Sequence, residues 1–272
     1  MIRDIFINYL LQVFFSLGLI VAAGLIIGLI QKGVYKLLGG SSRKIGILTG
    51  FIGTPIHELG HAIFCLIFGH KIVDMKLFSP DPSNGTLGYV SHTYNKKNIY
   101  HQIGNFFIGI GPIISCGLII TLFMYLFIPY VFQGVWREIS GLNLSSFPSA
   151  INTVFQTFYL ILINPYNLGN FLWWVFIFLS SSIALHMAIS IPDIKCGLKG
   201  LGFTLAAMLI INIIVGVISL SALDWITDLV LSLSSYLIAL LGICLLMSII
   251  ILCIAGIFRV FKNFLNKYKK CR

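Results

Sequence analysis

The chain has 272 residues, of which 58% are hydrophobic and only 10% are charged, and its mean hydropathy is +0.99. This composition excludes an ordinary soluble domain and indicates a polytopic membrane protein. The 18 Lys and Arg residues outnumber the eight Asp and Glu residues and give a net charge of +10, but they lie mainly at the ends of apolar runs and in the C-terminal tail. That placement is typical of orientation signals next to anionic lipid, so no nucleic-acid partner is expected.

Six apolar runs are long enough to cross a bilayer, which needs about 20 residues per helix. They lie at residues 5–30, 45–69, 103–132, 168–191, 201–222 and 226–258. The predicted fold is an all-α polytopic membrane bundle of about six transmembrane helices. We expect one integral domain, with its core at 45–200, additional C-terminal spans at 201–258 and a basic cytoplasmic tail at 259–272. A shorter apolar stretch at 151–163 is an interfacial helix, a half-helix or a seventh crossing.

Charge asymmetry does not select one arrangement of these spans. The basic segments at 31–44, at 195–199 and in the C-terminal tail favour the cytoplasm, and so do the lysines of the link 70–101. With six spans the segment 31–44 is the exception, and with seven spans the link 70–101 is. We prefer six, because 151–163 is short for a crossing. The expected location is the plasma membrane of a bacterium, with the C-terminus in the cytoplasm.

The link between the second and third spans predicts a short β-hairpin. Turn-forming residues at 79–85 separate two extended segments, 72–78 and 86–94. We expect the hairpin at the membrane face, where its exposed edge could bind an extended peptide by strand addition. A plain connecting loop is the alternative.

The second span contains the motif His57-Glu58-Leu59-Gly60-His61 within an otherwise apolar run. Histidines four residues apart project from one face of a helix and can share a metal ion, with Glu58 placed as a general base. Ionisable side chains in hydrocarbon cost several kcal/mol, so we expect them to face a cavity and to serve a function. The motif predicts one Zn²⁺ per chain and hydrolysis of a peptide bond.

A catalytic zinc site normally has three protein ligands, so His57 and His61 need a third. Asp193, which follows Pro192 after a long apolar run, is the preferred candidate. His186 is the alternative, and otherwise a residue that supports the metal site or contacts substrate. Cys65 continues the row of residues four apart from His57 and His61, and is either a further neighbour of the metal or a packing residue.

The third span is rich in small residues that allow helices to approach closely. Gly111 and Pro112 lie in its middle, and Asn105 lies near its start. These three are candidates for supporting the metal site or contacting substrate. An ordinary hydrogen bond between helices is the alternative for Asn105.

These residues resemble the site-2 protease family of intramembrane zinc metalloproteases. The resemblance rests on Gly53-Thr54-Pro55-Ile56 leading into the HExxH motif, on Gly111-Pro112 and on Asp193. It implies that His57 and His61 bind zinc, that Glu58 is the catalytic base and that Asp193 matches the family's Leu-Asp-Gly motif. Here Pro192 and Ile194 flank that aspartate, and Ser115 stands where the family has Asn.

The resemblance further implies a membrane-embedded peptide, a leftover signal peptide or a single-span protein as substrate. A different class of function uses the same residues without cleavage. In a transporter or ion-conducting protein, His57, Glu58, His61, His186 and Asp193 would relay protons or metal ions through the bundle. Transport and proteolysis therefore both remain hypotheses at this stage.

Overall fold

The computed structural model describes residues 1–81, 85–140, 152, 155–156 and 158–270. The helices are α1 (Ile2–Gln12), α2 (Leu19–Leu38), α3 (Ser42–Ile67), α4 (Ile99–Phe127), α5 (Pro129–Ser140), α6 (Phe171–Ala184), α7 (Ile191–Ile218) and α8 (Leu220–Lys270). Two strands, β1 (Lys71–Lys76) and β2 (Tyr89–Thr93), separate α3 from α4. A π-helical turn at Val13–Gly18 joins α1 to α2, and a 3-10 turn at Gly39–Ser41 joins α2 to α3.

Four helical segments among the described residues are long and apolar enough to cross a membrane. They are Ile2–Ile67, Ile99–Phe127, Ile191–Ile218 and Leu220–Phe264. The first comprises α1, α2 and α3, and it reverses direction at Gly39, where φ is +54°. Large apolar side chains such as Leu29, Phe51 and Ile218 are exposed on the outside, as a lipid environment favours. The predicted all-α, membrane-type fold is confirmed, whereas six separate spans are not.

The predicted spans at 168–191 and 201–222 form a single broken path. Trp174 on α6 shares a pocket with Leu38, at the end of α2, and the carbonyl of Leu185 accepts a hydrogen bond from Gln31 farther back along α2. Gly216, near the end of α7, packs against Ile5 on α1. Helices α6 and α7 therefore run in the same direction, and the predicted link 191–200 is the first part of α7.

Two of the basic regions of the chain, the segment 31–44 and the C-terminal tail, meet at one end of the bundle. Arg259 Nη1 on α8 donates to the carbonyl of Lys36 at 2.9 Å, and Lys262 Nζ donates to Ser41 Oγ at 3.1 Å. The preferred six-span count places segment 31–44 opposite the C-terminus, so this contact contradicts it. The six-span arrangement treats α6 and α7 as two opposed crossings, whereas in the structure the two helices run in the same direction. Of the stretch 151–163, only parts are described, including a π-helical turn at Tyr159–Ile163.

Helix α4 lies against both α3 and α7, and glycines bring the three backbones together. A Cβ on Gly60 of α3 would lie 2.9 Å from the carbonyl of Gly111 on α4. On the other side, a Cβ on Gly109 would lie 2.8 Å from the carbonyl of Asp193 at the start of α7. Larger side chains cannot occupy these contacts without moving a helix. The small residues of the motif region thus fix the spacing of the helices.

The predicted hairpin is present as an antiparallel pair of strands. It runs along α3 rather than standing at one end of it: the ring of Phe78 lies 5.7 Å from that of Phe51, and Gly88 packs on Thr54. Beyond the strands, the backbone N–H of Ser79 donates to the carbonyl of Leu87 at 2.6 Å. Residues 82–84 of the predicted turn lie outside the described residues.

We predict that Gly200→Ala destabilises the bundle, whereas Gly202→Ala on the same helix does not. A Cβ at Gly200 would lie 2.3 Å from the backbone nitrogen of Phe106 on α4, but a Cβ at Gly202 meets nothing within 4 Å. Overpacking costs about 1–3 kcal/mol, while Gly to Ala in an open helical position gains about 0.5–1 kcal/mol. Thermal unfolding of the purified protein in detergent measures both. Equal melting temperatures for the two variants would contradict this contact.

Candidate metal centre

The motif of the second span lies in the middle of α3, on the side that faces a cavity of about 560 Å³. His57, Glu58 and His61 are each less than a tenth exposed, and all three line this cavity. Its other walls come from α4, from the start of α7 and from residues 85–90 of the hairpin. The sequence-based expectation that these ionisable groups face a cavity inside apolar helices agrees with this arrangement.

Asp193 joins the two histidines across the cavity. His61 Nε2 lies 3.2 Å from Asp193 Oδ1, and His57 Nε2 lies 3.9 Å from Asp193 Oδ2. One ligand atom from each of the three residues lies within 4.8 Å of the others. Ligands of a tetrahedral zinc ion at bond lengths of about 2.0–2.2 Å are separated by similar distances. The geometry therefore assembles a candidate metal site from His57, His61 and Asp193.

Both imidazole rings are oriented by backbone carbonyls behind them. His57 Nδ1 donates to the carbonyl of His186 at 2.7 Å, and His61 Nδ1 donates to the carbonyl of Ile108 at 2.7 Å. A neutral ring that donates through Nδ1 keeps its lone pair on Nε2. The lone pairs of both rings therefore point to Asp193. This Nδ1-protonated tautomer is the one that a metal ligand binding through Nε2 needs.

The local backbone explains why these two carbonyls are free to accept. In an α-helix the carbonyl of Ile108 would accept from the N–H four residues later, but that residue is Pro112, which has none. His186 lies in the break between α6 and α7, so its carbonyl also lacks a regular helical partner. Pro112 thus orients His61 through Ile108, a role consistent with its selection as a candidate for supporting the metal site.

The start of α7 fixes the position of Asp193. Ser190 caps the helix: its backbone N–H and its Oγ both donate to Asp193 Oδ2, at 2.9 and 2.5 Å. This reciprocal capping box holds the carboxylate in the first turn of the helix, where the helix dipole also favours a negative charge. Pro192 belongs to the same first turn and begins the helix, while Gly197 continues it. The break between α6 and α7 therefore lies before Pro192, at 185–190.

The candidate ligand His186 occupies a different place from Asp193. Its ring points to α3, where Nε2 lies 2.9 Å from Thr49 Oγ1, and only its carbonyl reaches His57. His186 does not share a helical face with Asp193, because α6 ends at Ala184 and α7 begins only at Ile191. His186 supports the site through its backbone, and its side chain borders the cavity.

Two other sequence candidates have structural contacts in the described part of the chain. Asn105 is fully buried, and its Oδ1 accepts a hydrogen bond from Cys196 Sγ on α7 at 3.5 Å. This hydrogen bond joins α4 to α7, as the alternative interpretation of Asn105 expected. Gly111 packs on Gly60, so it determines how closely α4 approaches the HExxH helix.

Sequence reasoning did not select Thr54, although its side chain lines the cavity. Thr54 Oγ1 is buried and has no hydrogen-bond partner among the described residues. A buried hydroxyl without a partner costs about 1–3 kcal/mol, so it calls for a ligand or water on that side. In the sequence it was noted only as part of the stretch Gly53-Thr54-Pro55-Ile56 that leads into the HExxH motif.

The hairpin supplies the remaining polar wall of the cavity. Tyr89 lines it, and its hydroxyl donates to Asp74 Oδ2 at 2.5 Å across the two strands. This hydrogen bond to the carboxylate raises the pKa of Tyr89 above its ordinary value. The pair ties the two strands together beside the metal-ligand residues.

A second group of potential metal ligands lies one helical turn beyond His61. It consists of Cys65, His70 and His92, and their ligand atoms also lie within 4.8 Å of one another. Cys65 therefore belongs to this group rather than to the one formed by His57, His61 and Asp193.

The chemistry of the first group fits zinc. Two imidazoles and a carboxylate form the three-ligand set of a catalytic zinc site, which keeps one position open for water or substrate. The cavity at the open side and the two oriented rings meet the same requirement. A search of protein-family models, curated proteins and solved structures found no match to this chain.

We predict that Pro112→Ala weakens Zn²⁺ binding about 10- to 100-fold, the range typical for loss of an orienting partner. Alanine restores an N–H that competes with His61 Nδ1 for the carbonyl of Ile108. Pro129→Ala is the matched control, because Pro129 is the first residue of α5. Competition with a chromogenic chelator measures the affinity. Unchanged binding in Pro112→Ala would show that the freed carbonyl does not orient His61.

Proposed function

We propose that this protein is an intramembrane zinc metalloprotease of the site-2 protease type. The observation that carries the proposal is the convergence of His57, His61 and Asp193 in one cavity, with Glu58 on the same helix. A protein that only stores a metal needs no open cavity and no adjacent carboxylate. The alternative is a transporter, which needs a path for protons or metal ions through the bundle. It would show flux without cleavage, and the experiment below distinguishes the two functions.

The residues of this site have separate roles in the proposed hydrolysis. Zn²⁺ held by His57, His61 and Asp193 would activate water and polarise the carbonyl of the scissile bond. Glu58 accepts the proton of the attacking water on its carboxylate and then donates it to the leaving amine nitrogen. The carbonyls of His186 and Ile108 keep both imidazoles oriented throughout.

We propose that the substrate is the transmembrane segment of a single-span protein or a leftover signal peptide. A helical substrate has to unwind before its carbonyl becomes accessible, and an extended segment then needs hydrogen-bond partners. Strand β2 pairs with β1 on one side, and residues 85–90 line the cavity on the other. Addition of the substrate as a third strand would satisfy its backbone next to Glu58.

The proposed function also implies where the site lies in the membrane. We propose that the site lies within the hydrocarbon region of a bacterial plasma membrane, and four segments long and apolar enough to span a bilayer support this location. Because the basic ends of α2 and α8 meet, we place both on the cytoplasmic side. The break between α6 and α7 then lies inside the membrane beside the cavity, where irregular backbone is tolerated.

We predict that Glu58→Gln lowers peptide cleavage about 10²- to 10⁴-fold while the zinc content stays that of wild type. The amide keeps the shape of the side chain but cannot accept the proton. Cleavage of a panel of single-span substrates in liposomes, together with zinc quantification, measures both properties. Asp228→Asn, an exposed carboxylate on α8, is the matched control.

The outcomes separate the possible functions. Cleavage by wild type and by Asp228→Asn, but not by Glu58→Gln, supports the protease. Metal or proton flux across liposomes that contain the wild-type protein, without cleavage of any substrate, would favour the transporter over the protease. A wild-type zinc content that His61→Ala does not lower would remove the metal site altogether.

We predict that Thr54→Val lowers kcat/KM about 3- to 10-fold without lowering thermal stability. Removal of a buried hydroxyl that lacks a protein partner costs the fold nothing, but a substrate would lose one hydrogen bond of about 0.5–1.5 kcal/mol. Thr204→Val is the control, since its Oγ1 donates to the carbonyl of Gly200 at 3.0 Å outside the cavity. Full activity in Thr54→Val would mean that the hydroxyl does not contact substrate.

A further inference from the structure

Three side chains of metal-ligand type converge where α3 ends and the hairpin begins. They are Cys65 in the last turn of α3, His70 just before β1 and His92 in β2. Cys65 is fully buried, His70 is 3% exposed and His92 is partly buried. None of the three belongs to the His57, His61 and Asp193 group, so the proteolytic mechanism above leaves them without a role.

The end of α3 brings Cys65 and His70 together. Gly69 has φ of +69°, the left-handed conformation that terminates many helices. The N–H of His70 donates to the carbonyl of Cys65 at 2.8 Å, and the N–H of Gly69 donates to that of Leu66 at 3.2 Å. These are the two bonds of a Schellman motif, which folds the residue after the glycine back over the last helical turn. That residue is usually apolar, but here it is a histidine placed over a cysteine.

The hairpin places His92 next to Cys65 and His70. His92 pairs with Ile72 in β1, and the next pair joins Ser91 to Asp74, so Val73 forms a bulge directly beside it. A bulge re-aims the neighbouring side chains of a strand. His92 Nδ1 lies 3.0 Å from His70 Nδ1, and the two rings are 5.0 Å apart.

The hydrogen bonds of His70 prepare it as a ligand. Its Nε2 lies 2.9 Å from the carbonyl of His101, an atom that can only accept, so Nε2 carries the proton. The lone pair of the neutral ring is therefore on Nδ1, which points to His92 and Cys65. Tyr94 stacks on the ring at 4.7 Å and holds its plane. An imidazole whose far nitrogen donates to a carbonyl is the usual arrangement at metal sites.

We propose that Cys65, His70 and His92 form a second site for a thiophilic divalent cation, Zn²⁺ in its resting form. One thiolate and two imidazoles suit Zn²⁺, and the fourth tetrahedral position is left for water. Cys65 gives up its thiol proton on binding, since the thiolate is the ligand. No ligand is shared with the first site, although His92 also lines the cavity of that site.

This second ion ties the hairpin to the protease helix. Its ligands come from α3, from the turn that follows and from β2, so it cross-links three segments that are otherwise joined by hydrogen bonds and packing. Residues 85–90 of the hairpin line the cavity, and the ion holds this wall at a fixed distance from His61. The role is one of positioning, separate from the chemistry of Glu58.

Cobalt binding to the full chain in detergent tests this assignment. Co²⁺ added to chelator-stripped protein fills zinc sites, and a thiolate ligand produces a near-ultraviolet charge-transfer band. Only the second site contains a sulfur ligand. We expect wild type to bind two Co²⁺ per chain and to show the band. Cys65→Ala should bind one and lose the band, whereas His61→Ala should bind one and keep it.

Controls separate this result from misfolding and from the first site. Cys196→Ala is the matched control, because that thiol borders the cavity but donates to Asn105 instead, and it should keep both ions and the band. His92→Asn replaces the ligand that lies in β2. This variant should bind one Co²⁺ fewer and lose the band, and it leaves the packing between the helices unchanged. A wild type without the band, or a band that Cys196→Ala removes and Cys65→Ala retains, overturns the second site whatever happens to proteolysis.

Discussion

The structure depends on one constraint: three ionisable side chains, His57, His61 and Asp193, are held together inside apolar helices. Away from water, each N–H and each carboxylate oxygen needs a partner, and an unsatisfied group costs more than most single contacts provide. The chain supplies these partners from backbone atoms. Pro112 frees the carbonyl of Ile108 for one histidine, and the helix break at 185–190 frees that of His186 for the other. Irregular backbone is thus found where the metal-ligand residues need it.

Close approach of three helices makes that arrangement possible. Gly60 lies within the motif itself and packs on Gly111, while Gly109 packs on the first turn of α7, which carries Asp193. A side chain at any of these positions would separate the histidines from the aspartate. The glycines therefore serve the site as much as the fold, because the distance from His61 to Asp193 is set by the spacing of backbones rather than by flexible side chains.

The hairpin connects the proposed chemistry to the proposed substrate. It runs along α3, and residues 85–90 line one side of the cavity. At its base, the Cys65, His70 and His92 group joins it to the helix that carries Glu58. A peptide added to the edge of the hairpin would then be positioned by the same element that the second ion holds in place. Catalysis and substrate positioning would use separate metal ions for separate purposes.

The sequence by itself determined the membrane class, the helical content, the hairpin and the HExxH triplet, because these follow from local hydropathy, turn residues and helical periodicity. It also named Asp193 and Pro112, though not how Pro112 acts. Only the tertiary structure decided that Asp193 rather than His186 meets the histidines, that 168–191 and 201–222 form one broken path, and that Cys65 joins His70 and His92. These outcomes depend on contacts between residues distant in the chain. Periodicity fixes which face a residue occupies on its own helix, but helix packing fixes what that face meets.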